Sequence, residues 1–192
     1  MASTTLPSIV ELPNLSAAEQ TAVLDLLFEP SPPLHSLTSP LLQSSHSSYT
    51  AFINQIQANL HSLLSSPSPH SLSTLDAILQ SHPRLGAAKV DSAQSRAEQA
   101  SLGNAAEAEK LKQLNDEYET TFPGLRYVVF VNGRSREIVM EDMRRRIARG
   151  DLVEERKEGV EVSQFVSSPC STTVGVLRVS SSSFLPCADV SI

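Results

Sequence analysis

One β-prone run limits what this chain can fold into. The run is Tyr127-Val128-Val129-Phe130-Val131, and no second stretch of similar β-propensity is present to pair with it. A lone strand leaves backbone donors and acceptors without ladder partners. We therefore expect the run to be a buried extended segment, and the rest of the core to be built from helices.

Apolar residues recur at helical spacing over much of the chain. Ser16 and Glu19 match a capping box ahead of a first helix that should stop near Pro30, and the Pro- and Ser-rich stretch 30–48 is predicted to be a loop. Further helices are predicted over 49–64, from Ser73 to a stop at Pro83, from Ser95 to Phe122 with an interruption near Gly103, from Ser135 to Gly150, and over 151–162.

Length and charge favour one globular domain without a nucleic-acid partner. A chain of 192 residues can bury one core but is too short for two ordinary domains with linkers. The helical domain is predicted to span 14–161, and the Ser-rich stretch 162–192 is predicted to be a disordered or irregular tail. The net charge of -6 and the pI near 5.3 disfavour binding to a phosphate backbone.

The basic residues are concentrated on one predicted helix. We expect Arg144, Arg145, Arg146 and Arg149 to form a solvated helix face rather than a nucleic-acid patch. The apolar stripe of the same helix is predicted to bury four residues, Ile138, Val139, Met143 and Ile147.

The cysteines and the chain ends indicate a cytoplasmic protein. Cys170 and Cys187 both fall in the tail, so the core has neither a disulfide framework nor a CxxC metal pair. No apolar run is long enough to span a membrane, and the start does not resemble a signal peptide. The last three residues are not a peroxisomal tripeptide of the SKL type, so we expect a cytoplasmic rather than a peroxisomal location.

His82 is the histidine best placed for chemistry. It precedes Pro83 in the final turn of a predicted helix, and the proline fixes the direction in which the chain leaves. Taken alone, the position is more typical of a histidine that interacts with the helix dipole than of a catalytic one. The other four histidines lie in or beside Ser/Pro-rich segments and are predicted to be surface residues: His35, His46, His61 and His70.

Two other candidates have structural alternatives. The stretch 95–99 fits a capping box, whereas a Glu98 carboxylate facing His82 would fix the imidazole tautomer and raise its basicity. Arg134 or Arg136 could bind an anion, although a turn and a helix start would use the same residues. The sequence contains no Gly-rich phosphate loop, HExxH pair, GxSxG elbow or Cys/His ligand set, so metal, nucleotide and nucleophilic-serine mechanisms are unsupported.

Four segments, taken in order, resemble one family. They are LQSHPRLG at 79–86, SRAEQ at 95–99, LNDEY at 114–118 followed by Phe122-Pro123, and the run 127–134. Over roughly residues 15–160 the chain is similar to the decarboxylases of 2-oxo-4-hydroxy-4-carboxy-5-ureidoimidazoline (OHCU). The resemblance implies an all-α single-domain bundle, usually a homodimer, that converts OHCU to S-allantoin in urate degradation without a metal or an organic cofactor.

The resemblance also implies roles for individual positions. His82 matches the catalytic histidine, acting as a general base or proton relay, and Glu98 matches the acidic residue that orients it. The positions that match substrate-binding residues are Pro83, Ser95, Arg96, Ala97, Gln99, Tyr127, Val128, Val129, Phe130 and Val131.

The chain departs from the family pattern in three places. The link from Pro83 to Ser95 is shorter than in many members, and the residues at 122–124 are Phe-Pro-Gly where many members have Phe-Gly-Phe. Members also have a final helix with an arginine that faces the substrate, whereas Arg178 is the one arginine after residue 161. Two alternative functions are therefore a catalytically silent helical binding protein and a hydrolase of another purine-derived ureide.

Overall fold

The computed structural model describes residues 6–65, 67–86, 105–131 and 134–167. In these ranges the chain forms a short 3-10 helix followed by seven α-helices, and it forms no strand there. The predicted all-α fold is confirmed. The elements are the 3-10 helix Ile9–Asn14, α1 (Ala17–Leu27), α2 (Pro32–Leu42), α3 (Tyr49–Ser65), α4 (Pro69–Gln80), α5 (Ala105–Thr121), α6 (Arg136–Arg149) and α7 (Leu152–Ser167).

Helix α3 organises the core. It packs against α2, α4 and α7, while α5 packs against α6. Phe52 and Ile56 of α3 are fully buried and lie one turn apart, so they form a single apolar stripe. Leu75 of α4 and Leu111 of α5 belong to the same buried cluster.

Local capping chemistry sets several helix ends as predicted. The Ser16 hydroxyl accepts from the Glu19 N–H, and the Glu19 carboxylate accepts from the Ser16 N–H at 2.9 Å, which completes the capping box of α1. Ser135 caps α6, and Gly150 ends that helix in the left-handed conformation with a φ of 63°. The predicted helix over 49–64 also matches α3.

The predicted loop over 30–48 is wrong, because α2 occupies its centre. Pro32 is the first residue of α2, where its missing N–H costs nothing, and the Ser31 hydroxyl accepts from the Leu34 N–H at 3.4 Å. The helix also tolerates Pro40 in its last turn. Packing of the α2 apolar stripe against α3 and α4 therefore outweighs the low helix propensity of this stretch.

Helix α4 is longer at its start than the sequence predicts. It begins at Pro69 rather than Ser73, because Ser68 and Ser71 form a reciprocal capping box. It ends at Gln80, so His82 lies just beyond the helix rather than in its final turn.

Helices α6 and α7 differ from the sequence prediction in one buried position and in one helix end. Ile138, which was predicted to be buried, has half of its surface exposed, and Met140 occupies the buried stripe instead. Helix α7 continues past Val162 to Ser167. Cys170, Arg178 and Cys187 lie outside the described residues. In the parts of the chain that the structure describes, no helix has both the length and the apolar character needed to cross a membrane.

Candidate functional site

The candidate site lies at the His82 corner, which consists of Ser81, His82 and Pro83 at the end of α4. The His82 N–H donates to the Leu79 carbonyl at 3.3 Å, and Nη1 of Arg126 donates to the His82 carbonyl at 3.1 Å. The Ser81 hydroxyl lies 3.0 Å from the Ser31 hydroxyl at the start of α2. Contacts from two distant parts of the chain therefore hold the backbone of the corner.

Helix α5 fixes the chain that leaves the corner. Arg84 donates through Nε and Nη2 to the two carboxylate oxygens of Glu119, at 2.6 and 2.8 Å. The Asn115 amide donates to the Leu85 carbonyl at 3.0 Å. Gly86 has a φ of 82°, and a Cβ at this position would lie 2.8 Å from a buried leucine side chain of α5. The exit from the corner thus requires both glycine and the polar side chains of α5.

The imidazole of His82 is held uncharged. The residue is only partly exposed, and its Nδ1 is buried. Desolvation, helped by the positive charge of Arg126, lowers the pKa of His82 to about 4. At neutral pH the ring therefore carries a nitrogen lone pair that can accept a proton.

This lowered pKa predicts an acid-dependent loss of stability. An unfolded histidine titrates near pH 6.5, whereas the pKa of His82 in the folded chain is about 4. The unfolded state binds more protons in this window, so stability is expected to fall by about 2 kcal/mol as the pH falls from about 6.5 toward about 4.5. Urea unfolding at about pH 7.5 and 4.5 should show a smaller loss for His82→Asn than for the wild type. Equal losses would contradict the lowered pKa.

The run predicted to be a buried extended segment begins beside the corner. Residues 127–131, called here the 127–131 segment, have no regular secondary structure. Tyr127, Val128 and Val131 are buried, while Val129 and Phe130 are partly exposed. Because the segment follows Arg126 directly, the hydrogen bond from Arg126 to the His82 carbonyl joins its start to the corner.

The side chain of Tyr127 anchors the start of the segment to α6. Its hydroxyl donates to Oδ2 of Asp142 at 2.6 Å, and the Arg146 guanidinium lies 4.8 Å from the centre of its ring. Burial raises the pKa of Tyr127, so the hydroxyl remains a proton donor at neutral pH. The ring is therefore fixed at both its polar end and its face.

Arg134 anchors the other end of the segment. Its Nε donates to the Val131 carbonyl at 3.3 Å, and its Nη2 donates to the Phe130 carbonyl. The Arg134 N–H also donates to the Val131 carbonyl at 2.8 Å, which agrees with the turn that the sequence allowed at this position. Its side-chain donors bind the backbone of the 127–131 segment.

The prediction that the arginines of α6 form a solvated face is wrong for Arg146. This residue has only 4% of its surface exposed, and its Nη1 lies 2.9 Å from Glu155, which is also buried. Glu155 in addition accepts from the Tyr118 hydroxyl at 2.6 Å and from Arg149 at 2.7 Å. We call this set, together with Asp142 and Glu158, the α6–α7 charge network. It arises because acidic residues of α7 face the basic side of α6.

Of the four histidines predicted to be on the surface, only His70 is exposed. His46 is buried, its Nε2 lies 2.7 Å from the Leu41 carbonyl, and its ring packs against Phe52. His35 lies 2.7 Å from Asp25. Both contacts depend on α2, which the sequence interpretation treated as a loop.

Part of the predicted site lies outside the described residues, namely Ser95, Arg96, Ala97, Glu98 and Gln99. Of the other predicted positions, His82 and Pro83 lie at the corner, and the hydrogen bond from Arg126 to the His82 carbonyl brings the start of the 127–131 segment to it. Sequence analysis missed Arg126, whose one visible signal is its place directly before the β-prone run. Within the described ranges, no three His, Cys, Asp or Glu side chains are grouped as metal ligands would be.

Comparison with known families gives one finding. A family model described as OHCU decarboxylase matches residues 13–164, which is well over half of the chain. The matched range contains both the His82 corner and the 127–131 segment. A comparison with curated proteins gives no significant match.

Proposed function

The chain belongs to the OHCU decarboxylase family, and from this premise we propose that it converts OHCU to S-allantoin without a cofactor. Members of the family are decarboxylases that act on a small-molecule substrate in urate degradation. The finer proposal concerns this chain's own substrate, product and catalytic residues.

One observation carries the proposal: the Arg126 guanidinium contacts the backbone of His82, and its charge helps to keep the imidazole of that residue uncharged. The pKa of His82 is about 4, so the ring is neutral at physiological pH. Arg126 holds the backbone of the same residue through a 3.1 Å hydrogen bond. A base and a cation next to each other suit a substrate that carries a hydroxyl and a carboxylate on one carbon.

The proposed reaction needs little from the protein beyond positioning and proton transfer. The bond between the ring carbon and the carboxylate breaks, CO2 leaves, and the electron pair passes into the conjugated ring, where a ring nitrogen takes up one solvent proton. His82 accepts the hydroxyl proton as that oxygen becomes a carbonyl, and the proton returns to the neighbouring ring carbon. Protonation from one face gives the S product.

Glu98 is proposed to orient His82 in this reaction. A carboxylate that accepts from one ring nitrogen fixes the tautomer in which the other nitrogen acts as the base. This role follows from the family resemblance, because Glu98 lies outside the described residues.

The direct test uses the full chain and freshly generated OHCU. We expect CO2 release and the circular dichroism of S-allantoin to appear faster than in the uncatalysed reaction, and a chelator to leave the rate unchanged. No acceleration would favour a catalytically silent binding protein. Consumption of OHCU without CO2 would favour a hydrolase.

We also propose that the chain acts as a homodimer, as the family resemblance implies. Sedimentation of the active full chain tests this independently of catalysis. A monomer at every concentration that supports activity would contradict it.

A further inference from the structure

We propose that Arg126 binds the carboxylate of the substrate and thereby presents the neighbouring hydroxyl to His82. This inference rests on the proposed function and identifies a substrate-binding residue that the sequence analysis did not assign.

Arg126 differs from the other arginines around the site in its partners. It is partly buried, and within the described ranges its guanidinium forms no ion pair. Its one hydrogen bond there is the 3.1 Å contact from Nη1 to the His82 carbonyl. The arginines that do pair with carboxylates are Arg84, Arg145, Arg146, Arg149 and Arg156.

A guanidinium in this state is suited to a carboxylate ligand. The group has five N–H donors in a planar fork, and the contact with the His82 carbonyl uses one of them. Carboxylates accept from such a fork through two parallel hydrogen bonds. Partial burial strengthens the pairing, because less water competes for the charge.

The position of Arg126 would place the substrate carboxylate close to His82, the proposed base. The residue lies between the His82 corner, which its side chain contacts, and the 127–131 segment, which it directly precedes. OHCU carries its hydroxyl and its carboxylate on the same ring carbon. A carboxylate held by Arg126 therefore brings the hydroxyl toward the imidazole of His82.

The other nearby cations are already engaged. Arg134 donates to the Phe130 and Val131 carbonyls, and Arg84 is paired with Glu119 and Asp116. Among the residues that the structure describes, Arg126 is thus the cation in contact with His82 that an anionic ligand can meet without displacing a carboxylate.

The chemistry of decarboxylation predicts whether Arg126 affects KM or kcat. The carboxylate loses its negative charge as CO2 forms, so a cation that grips it stabilises the bound substrate more than the transition state. Arg126 should accordingly lower KM rather than raise kcat.

The experiment compares two ligands that differ in charge. Hydantoin-5-acetate carries a carboxylate on a ureide ring, whereas allantoin is neutral. For Arg126→Gln we expect calorimetry to show roughly 10- to 100-fold weaker binding of hydantoin-5-acetate, the effect of one lost charge-assisted contact, with little change for allantoin. Arg126→Lys keeps the positive charge and should lose less affinity for hydantoin-5-acetate than Arg126→Gln. Arg144→Gln removes an exposed guanidinium from α6 and is the matched control.

Kinetic and binding measurements together distinguish a failure of the role of Arg126 from a failure of the proposed function. With OHCU, Arg126→Gln should raise KM by a similar factor and change kcat by only a few-fold. Unchanged affinity for hydantoin-5-acetate in this variant, or an equal loss for allantoin, would overturn the role of Arg126. A wild type that binds hydantoin-5-acetate through Arg126 but releases no CO2 would overturn the proposed function and leave this inference standing. If Arg126→Gln does not fold, Arg126→Lys is the deciding variant. An equal fold-change in the affinities for hydantoin-5-acetate and allantoin in that variant, relative to the wild type, would contradict the inference.

Discussion

Replacing His82 by asparagine is expected to lower kcat for OHCU by about 10²- to 10⁴-fold, the usual contribution of a proton-transfer residue. Asparagine keeps a polar side chain at the corner but has no nitrogen lone pair that accepts a proton. The fold should survive, because asparagine leaves in place the backbone hydrogen bonds of residue 82 and the contact of the Ser81 hydroxyl. Initial rates of CO2 release measure the effect.

A matched histidine controls for general effects of the substitution. His70 lies on the exposed side of α4, so His70→Asn should retain wild-type kcat. Circular dichroism and thermal melting of both variants check the fold. A His82→Asn protein that turns over OHCU at the wild-type rate would remove His82 from the mechanism.

Replacing Glu155 by alanine is expected to reduce the free energy of unfolding by about 3 kcal/mol, in the range typical of breaking a buried ion pair from one side. Glu155 has 1% of its surface exposed and accepts from Tyr118, Arg146 and Arg149. Its removal leaves the buried Arg146 charge with less compensation and the Tyr118 hydroxyl without this acceptor. Urea unfolding monitored by circular dichroism measures the change.

The neighbouring residue provides the control for Glu155. The Glu154 side chain is 43% exposed and contacts Lys157 at 3.4 Å, so Glu154→Ala should change stability by no more than about 0.5 kcal/mol. A loss below about 1 kcal/mol for Glu155→Ala would mean that Asp142 and Glu158 alone stabilise Arg146.

Sequence reasoning succeeded where the deciding chemistry is local. The capping box of Ser16 and Glu19, the Ser135 cap and the Gly150 stop each depend on residues within a few positions. The β-prone run 127–131 forms no strand, as predicted for a related reason, since the sequence has no second run of similar β-propensity. These features therefore needed no knowledge of tertiary contacts.

The same reasoning failed where distant contacts decide. Helix α2 exists because α3 and α4 cover its apolar stripe, despite prolines that favour a loop. Arg146 is buried because acidic residues of the next helix face it, and a run of arginines by itself suggests exposure. The role proposed for Arg126 depends on its contact with His82, which lies 44 residues earlier in the chain. The family resemblance identified His82 but gave no hint of this neighbour.

The α6–α7 charge network has a consequence for the order in which the protein matures on the ribosome. Tyr127 is clamped by Asp142 and Arg146, and the charge of Arg146 is balanced in turn by Glu155 of the last helix. Until α7 has emerged from the exit tunnel, the nascent chain has a cation in its core without that counter-charge. We therefore expect the 127–131 segment to take its final position late, after nearly all of the domain has been synthesised.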